Sequence, residues 1–277
     1  MDERIHKLAA LANVAMYDSR ATSDYTDKAP HIRHSTLRNL YSKLVVTVHD
    51  FASTYTSTPQ VLDLGAGEGS VTLPFLELGA KVTAVDISEK QLKALQAKCV
   101  DYADKLELRC QDVFDAIESV RLEDRQYDII VANSFLHHIP DYLSLIREAA
   151  AILPLRGQFF SFQDPLKYDS LGRFTRILNA LAYFSWRIFQ GDVTGGIRRR
   201  IRRARGMYLE DCPQDNIEYH VTRGGVDQDA IHKLFEQLGF ECEIISYFST
   251  QSRIWQPVGT ALGMKSTFAV IARRTSH

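Results

Sequence analysis

Cysteine is scarce in this chain. Its 277 residues hold four, Cys99, Cys110, Cys212 and Cys242, with no CxxC pair and no metal-finger spacing. That argues against a disulfide framework, leaves no metal site to expect, and fits a reducing cytosol. Long apolar runs are missing as well, so no transmembrane helix is expected. The N-terminus, MDERIHKLAALANVAM, opens with acids and breaks its apolar stretch at Asn13, a poor signal peptide. The expectation is a cytoplasmic protein without stable membrane insertion. An excess of one charge is absent too: 33 Lys and Arg face 34 Asp and Glu, so the surface as a whole does not seek nucleic acid. There is no internal repeat and no low-complexity tract. What remains is an ordinary globular composition, 45% apolar and 24% charged, able to bury a sizeable core.

The patterning changes along the chain. Residues 1–55 read as a helical cap, with Ile5, Leu8, Leu11, Ala12 and Ala15 at helical spacing, a polar break, and a second helix from Ser35. From Gln60 strand and helix alternate. The strands are QVLDL, KVTAVD, LELRC, YDIIVAN and QFFSF; the helices are GSVTLPFLELG, SEKQLKALQAKCV with a capping box at Ser88 and Gln91, and DYLSLIREAAAIL. This order predicts a Rossmann-like α/β fold, a mostly parallel sheet with helices on both faces. The domain parse is a cap over 1–55, an α/β core over 56–163, an inserted helical lid over 164–225, and the end of the core over 226–277. The last part holds the helix DQDAIHKLFEQLG and the strands FECEIISYF and STFAVIA, which bring the sheet to seven strands.

The glycine loop LGAGEGS, after the first strand, is where a nucleotide would sit, because glycine permits sharp turns and close backbone approach. A dinucleotide fingerprint wants G-x-G-x-x-G, and here Ser70 takes the sixth place. Asp63, two residues before Gly65, is awkward beside a pyrophosphate but comfortable beside a cationic ligand. Taken in order, LDLGAGEG, AVDIS, LRCQDVFD and YDIIVANSFLHHIPD resemble the motifs of the class I S-adenosyl-L-methionine-dependent methyltransferases, over roughly Gln60–Phe162 and the two C-terminal strands. The resemblance implies that cofactor. It places Asp63 and the backbone of Gly65 and Gly67 at the methionine end with Asn133, Asp86 on the ribose, Ile87 on the adenosine, and Asp112 with Val113 at the adenine. Solvated or capping acids are the plain alternatives for Asp86 and Asp112.

A sulfonium methyl is already activated, so positioning rather than a metal should carry most of the rate. His137 and His138, just past the fourth strand, are the candidate general bases; structural packing or contact with the methionine end of the cofactor is the alternative for both. The aromatic helix FTRILNALAYFSWRIF, with Phe174, Tyr183 and Trp186, suits a hydrophobic small-molecule acceptor. Tyr17, Tyr25, Arg33 and His34 are candidate contacts to the cofactor carboxylate or the substrate, Tyr25 read towards the cofactor and Tyr17 and His34 towards the substrate, with ordinary surface as the alternative for each. The six arginines between Arg198 and Arg205 read first as a solvated helix face, then as a site for an acidic group or anionic membrane. The N-terminal helices invite a homo-oligomer. The resulting expectation is methylation of a natural product, with a carbon slightly favoured over an oxygen because the insertion offers few bases. A peripheral-membrane quinone or lipid methyltransferase, a nucleic-acid methyltransferase and a non-catalytic nucleotide-binding partner stay as alternatives.

Overall fold

The computed structural model describes residues 3–19, 29–178, 208, 216 and 219–275. Seven strands form one sheet: β1 Gln60–Leu64, β2 Lys81–Asp86, β3 Leu106–Cys110, β4 Ile129–Asn133, β5 Gln158–Pro165, β6 Phe240–Tyr247 and β7 Thr267–Arg274. Their spatial order is β3-β2-β1-β4-β5-β7-β6. The first five pair in parallel, and β7 runs antiparallel to both β5 and β6. The parallel strands lie under helices on both faces, which is why β1 and β4 read as near-continuous apolar runs.

The principal helices are α1 Glu3–Ser19, α2 Ser35–Ser53, α3 Thr72–Glu77, α4 Glu89–Lys98, α5 Val113–Leu122, α6 Tyr142–Ala151, α7 Gln228–Gln237 and α8 Trp255–Ala261. One face of the sheet buries Leu62, Leu64, Ile117, Ile146 and Phe235 under α5, α6 and α7. The other buries Val61, Val48, Phe75, Leu95 and Phe160 under α2, α3 and α4. Polar side chains at the strand-to-helix turns start several helices: Ser88 accepts from the Gln91 amide at 3.2 Å, Asp112 from Phe114 at 2.9 Å and Asp141 from Ser144 at 3.1 Å. No helix among the described residues is long and apolar enough to cross a membrane.

Three features differ from the sequence reading. The helix expected across GSVTLPFLELG shrinks to Thr72–Glu77, because glycine-loop turns occupy its first residues. Helices α5 and α8 were not anticipated; α5 begins inside the LRCQDVFD motif itself. Strand β5 continues to Pro165 through a bulge at Gln163, whose φ of 73° breaks the pleat. The expected insertion boundary at 164 therefore falls inside the strand.

The chain winds from β1 outward to β3, then returns to place β4 on the other side of β1. That reversal opens a crevice at the carboxyl ends of β1 and β4, where ligands bind in open α/β sheets.

Candidate active site

The loop after β1 lies against that crevice. Gly65 and Ala66 both donate to the Val85 carbonyl at 2.9 Å, tying the turn to β2. Gly65 has φ 74°, and a Cβ there would lie 2.2 Å from the Phe135 ring. Gly65→Ala should thus cost about 2–5 kcal/mol, adding left-handed strain to overpacking; a urea midpoint equal to wild type would refute it. Gly67, at φ 52°, has no atom within 4 Å of its would-be Cβ and presents bare backbone to the crevice. Its amide donates to Asp86 Oδ2 at 2.8 Å, and the Ser88 amide donates to Oδ1 at 2.8 Å. Two backbone donors thus fix the Asp86 carboxylate at the end of β2.

The crevice is a cavity of about 340 Å³ that crosses the strand ends. Its first half lies over β3, β2 and β1, lined by Asp112 and Val113, by Asp86 and Ile87, and by Gly65 and Gly67. Helix α1 roofs this half. His6 Nε2 meets Asp112 Oδ2 at 3.0 Å, and the His6 ring packs edge-on against Phe114. The bond to Asp112 is the main influence holding the His6 pKa above its ordinary value. Burial pushes Asp112 upward, but the bonds from His6 and the Phe114 amide outweigh it and hold that carboxyl low. The stabilisation from His6 is complete below its unfolded pKa of about 6.5 and is lost as pH rises through the raised folded value. That from Asp112 is present above about 3.9 and is lost as pH falls through its depressed value. His6→Ala should therefore lower stability more at pH 5.5 than at pH 8.5 in urea unfolding. An equal loss at both would mean that the pair does not form.

The second half lies over β4, β5 and β7, lined by Asn133, Gln163, Pro165 and Thr267. Asn133 Nδ2 reaches Ser70 Oγ at 3.4 Å, and its Oδ1 has no partner among the described residues. A single 3₁₀ turn, Leu136–His138, carries both histidines into the wall. His137 Nδ1 lies 2.8 Å from Asp164 Oδ1, which also accepts the His137 amide at 3.1 Å. Asp164 is fully buried, and burial pushes its pKa up while the His137 bonds oppose the shift. Because Oδ1 already accepts an amide, the consistent tautomer has Nδ1–H donating to it and leaves Nε2 free to take a proton. The His138 ring lies 4.2 Å from that of His137, centroid to centroid.

Of the candidates named from the sequence, Gly65, Gly67, Asp86, Ile87, Asp112, Val113, Asn133, His137 and His138 line one cavity. Three residues sit elsewhere. Asp63 is 1% exposed behind the loop, accepts from Thr72 Oγ1 at 2.6 Å, and does not line the cavity. Burial first, then the charge of Asp86, pushes its pKa up to about 7 against the Thr72 bonds. Its place is that of a buried anchor for the loop and α3. His34 turns away and bonds the Thr250 carbonyl at 2.9 Å through Nε2. Phe174, in the helical stretch 173–178, is 80% exposed and outside the cavity wall. Tyr25, Tyr183, Trp186 and the arginines from Arg198 to Arg205 lie outside the described residues, as does the side chain of Tyr17. The structure adds His6, His31, Gln163 and Asp164, none of which belongs to a local motif.

Residues 62–161 match the methyltransferase-domain family. Over 102 residues the chain is 34% identical to the ubiquinone biosynthesis O-methyltransferase of Bordetella avium (strain 197N), a match covering 36% of this chain and 41% of that protein. In fold it resembles the magnesium protoporphyrin IX methyltransferase of Synechocystis PCC 6803 solved with bound SAH (15% identical, 98% of this chain and 100% of that one, TM-score 0.54). It also resembles the plantazolicin methyltransferase BpumL in complex with a triazolic desmethylPZN analog and SAH (15% identical, 100% of both chains, TM-score 0.55).

Proposed function

Since residues 62–161 belong to the methyltransferase-domain family and the sheet has the class I methyltransferase order, we propose that this protein methylates an oxygen of an apolar small molecule, using S-adenosylmethionine. The residues present fit the cofactor. Gly67 leaves open space where a side chain would stand, Asp86 is held as a carboxylate acceptor, and Asn133 keeps on the cavity wall an amide oxygen without a partner among the described residues. Asp86 would hold the ribose hydroxyls, Ile87 and Val113 the adenosine faces, Asp112 the adenine amino group, and Asn133 the methionine end. When bound, the cofactor supplies a methyl group already activated on a sulfonium sulfur.

The carboxylate–imidazole pair of Asp164 and His137 carries the choice of oxygen. Hydroxyl acceptors must lose a proton during transfer, and His137 Nε2 is the acceptor for it, with Asp164 fixing the tautomer and stabilising the resulting imidazolium. The sequence-based lean towards a carbon acceptor rested on a shortage of bases, and a base oriented by a buried acid at the cavity wall removes that reason. The curated relative's name also specifies an oxygen acceptor, which supports the same reading, although the match covers the cofactor-binding half. Natural-product and quinone acceptors both fit a cavity edged by Ile139, Pro140 and Pro165. Incubation with methyl-labelled S-adenosylmethionine and a panel of phenols, enols and matching alkenes tests the proposal: label on the hydroxyl compounds alone supports it, and label on alkenes alone defeats it.

A further inference from the structure

His31 is the most conspicuous polar group in the second half of the cavity. It sits in a single helical turn, Pro30–Arg33, just ahead of α2, is 4% exposed, and lines the cavity. Neither ring nitrogen has a hydrogen-bond partner among the described residues. Burial pushes its pKa down to about 4, so near neutral pH the ring carries one N–H donor and one acceptor nitrogen. The rings around it are Tyr41, at 5.2 Å between centroids, and Phe162, at 5.9 Å. Tyr41 donates its hydroxyl to the Ser70 carbonyl. Tyr247, stacked on Phe162, engages Gln163 at both the amide and the side chain. Those two hydroxyls are therefore committed elsewhere. A buried polar side chain without a partner is rare in a native fold, and one that lines a cavity finds its partner in what enters.

The bulge at Gln163 sets Asp164 on the face opposite the one where His31 packs. Before it, Phe162 pairs with Ala269 on the face covered by α2; after it, Asp164 pairs with Phe268 on the opposite face. His31 packs on Phe162 and His137 bonds Asp164, so the two imidazoles approach the end of β5 from opposite faces of the sheet. Around them Ile32 and Pro165 give the cavity apolar walls.

We infer that His31 is a specificity-determining residue of the acceptor site, hydrogen-bonding an oxygen of the methyl acceptor and selecting an oxygenated aromatic compound over a bare hydrocarbon of the same shape. The inference rests on the methyl-transfer reading above. A site built to hydrogen-bond an oxygen strongly rejects the analogue lacking it, since its own buried group is then left unpaired.

The test uses full-length protein saturated with SAH, titrated calorimetrically with 2-naphthol and with naphthalene. Wild type should prefer 2-naphthol at least tenfold. His31→Phe should reduce that preference below threefold with SAH affinity unchanged within twofold, and His31→Gln, which keeps a donor, should restore part of it. In wild type labelled at histidine Cε1, the resonance missing from His31→Gln should shift with 2-naphthol and not with naphthalene, a readout that does not depend on folding of the phenylalanine variant. An unchanged preference, no binding of either probe, no shift, or loss of SAH binding by a folded His31→Phe each overturns the inference; the last would assign His31 to the cofactor. Failure of wild type to bind SAH at all would instead defeat the methyl-transfer reading.

Discussion

Asp86→Ala should weaken SAH binding at least a hundredfold in calorimetric titration, with NAD failing to bind either protein. The carboxylate ends β2 facing the cavity, and its two oxygens already accept the amides of Gly67 and Ser88 at 2.8 Å. Those donors hold the acceptor where a ribose would lie. Hydrogen bonds to a charged group contribute about 1.5–3 kcal/mol each, so losing two removes about 3 kcal/mol or more, two decades in affinity. The alanine variant also releases the Gly67 amide, which loosens the loop and adds to the loss. Asp86→Asn separates these effects: it keeps the shape and an acceptor oxygen but not the charge, so its loss should be smaller. An alanine variant that binds SAH as wild type does would move the cofactor away from β2 and overturn the assignment.

His137→Ala should lower kcat by about 10²–10⁴-fold on any hydroxyl acceptor found in the panel, with KM changed little, the usual range for a general base. The pair joins the 3₁₀ turn after β4 to the last residues of β5, 27 positions on. Asp164→Asn should cost less than His137→Ala but act in the same direction, since the amide can present its NH₂ to Nδ1 and favour the wrong tautomer. A purely structural histidine would slow every acceptor alike. A base predicts something sharper: a phenol acidic enough to be ionised at the assay pH should lose far less activity in His137→Ala than an ordinary phenol. Equal losses across acceptors of different acidity would reduce His137 to a packing residue and reopen carbon as the methylated atom.

Part of the candidate site was legible before the fold was known. The half proposed for the cofactor is built from contiguous words in the chain: a strand, its terminal acid or glycine loop, and the cap of the next helix. Gly65, Gly67, Asp86, Ile87, Asp112 and Val113 each stand at a strand end, and a parallel sheet brings successive strand ends to one edge. Type and spacing therefore sufficed to pick residues that meet at that edge. Asp63 shows the boundary of that logic. It stands in the same loop motif, but the alternation of a β-strand turns its side chain inward to Thr72.

The acceptor half was not legible for a physical reason. Its contacts join residues far apart in sequence, His137 to Asp164 across 27 positions and His31 against Phe162 from a helical turn ahead of the sheet, as does the roof of the first half, where His6 reaches Asp112 across 106. His6 and His31 looked like ordinary cap residues, while Phe174 and His34 looked like substrate contacts and point elsewhere. The decisive element is one residue in a left-handed conformation, Gln163, which carries no glycine signature and flips the end of β5 so that opposite faces of the sheet each deliver an imidazole. Local patterning in the chain was enough for the alternation of strand and helix, the mostly parallel sheet and the glycine loop, because short-range stereochemistry decides those. Which histidine receives a buried carboxylate, and which has no partner among the described residues at the cavity wall, depends on long-range packing, so only the folded sheet settled it.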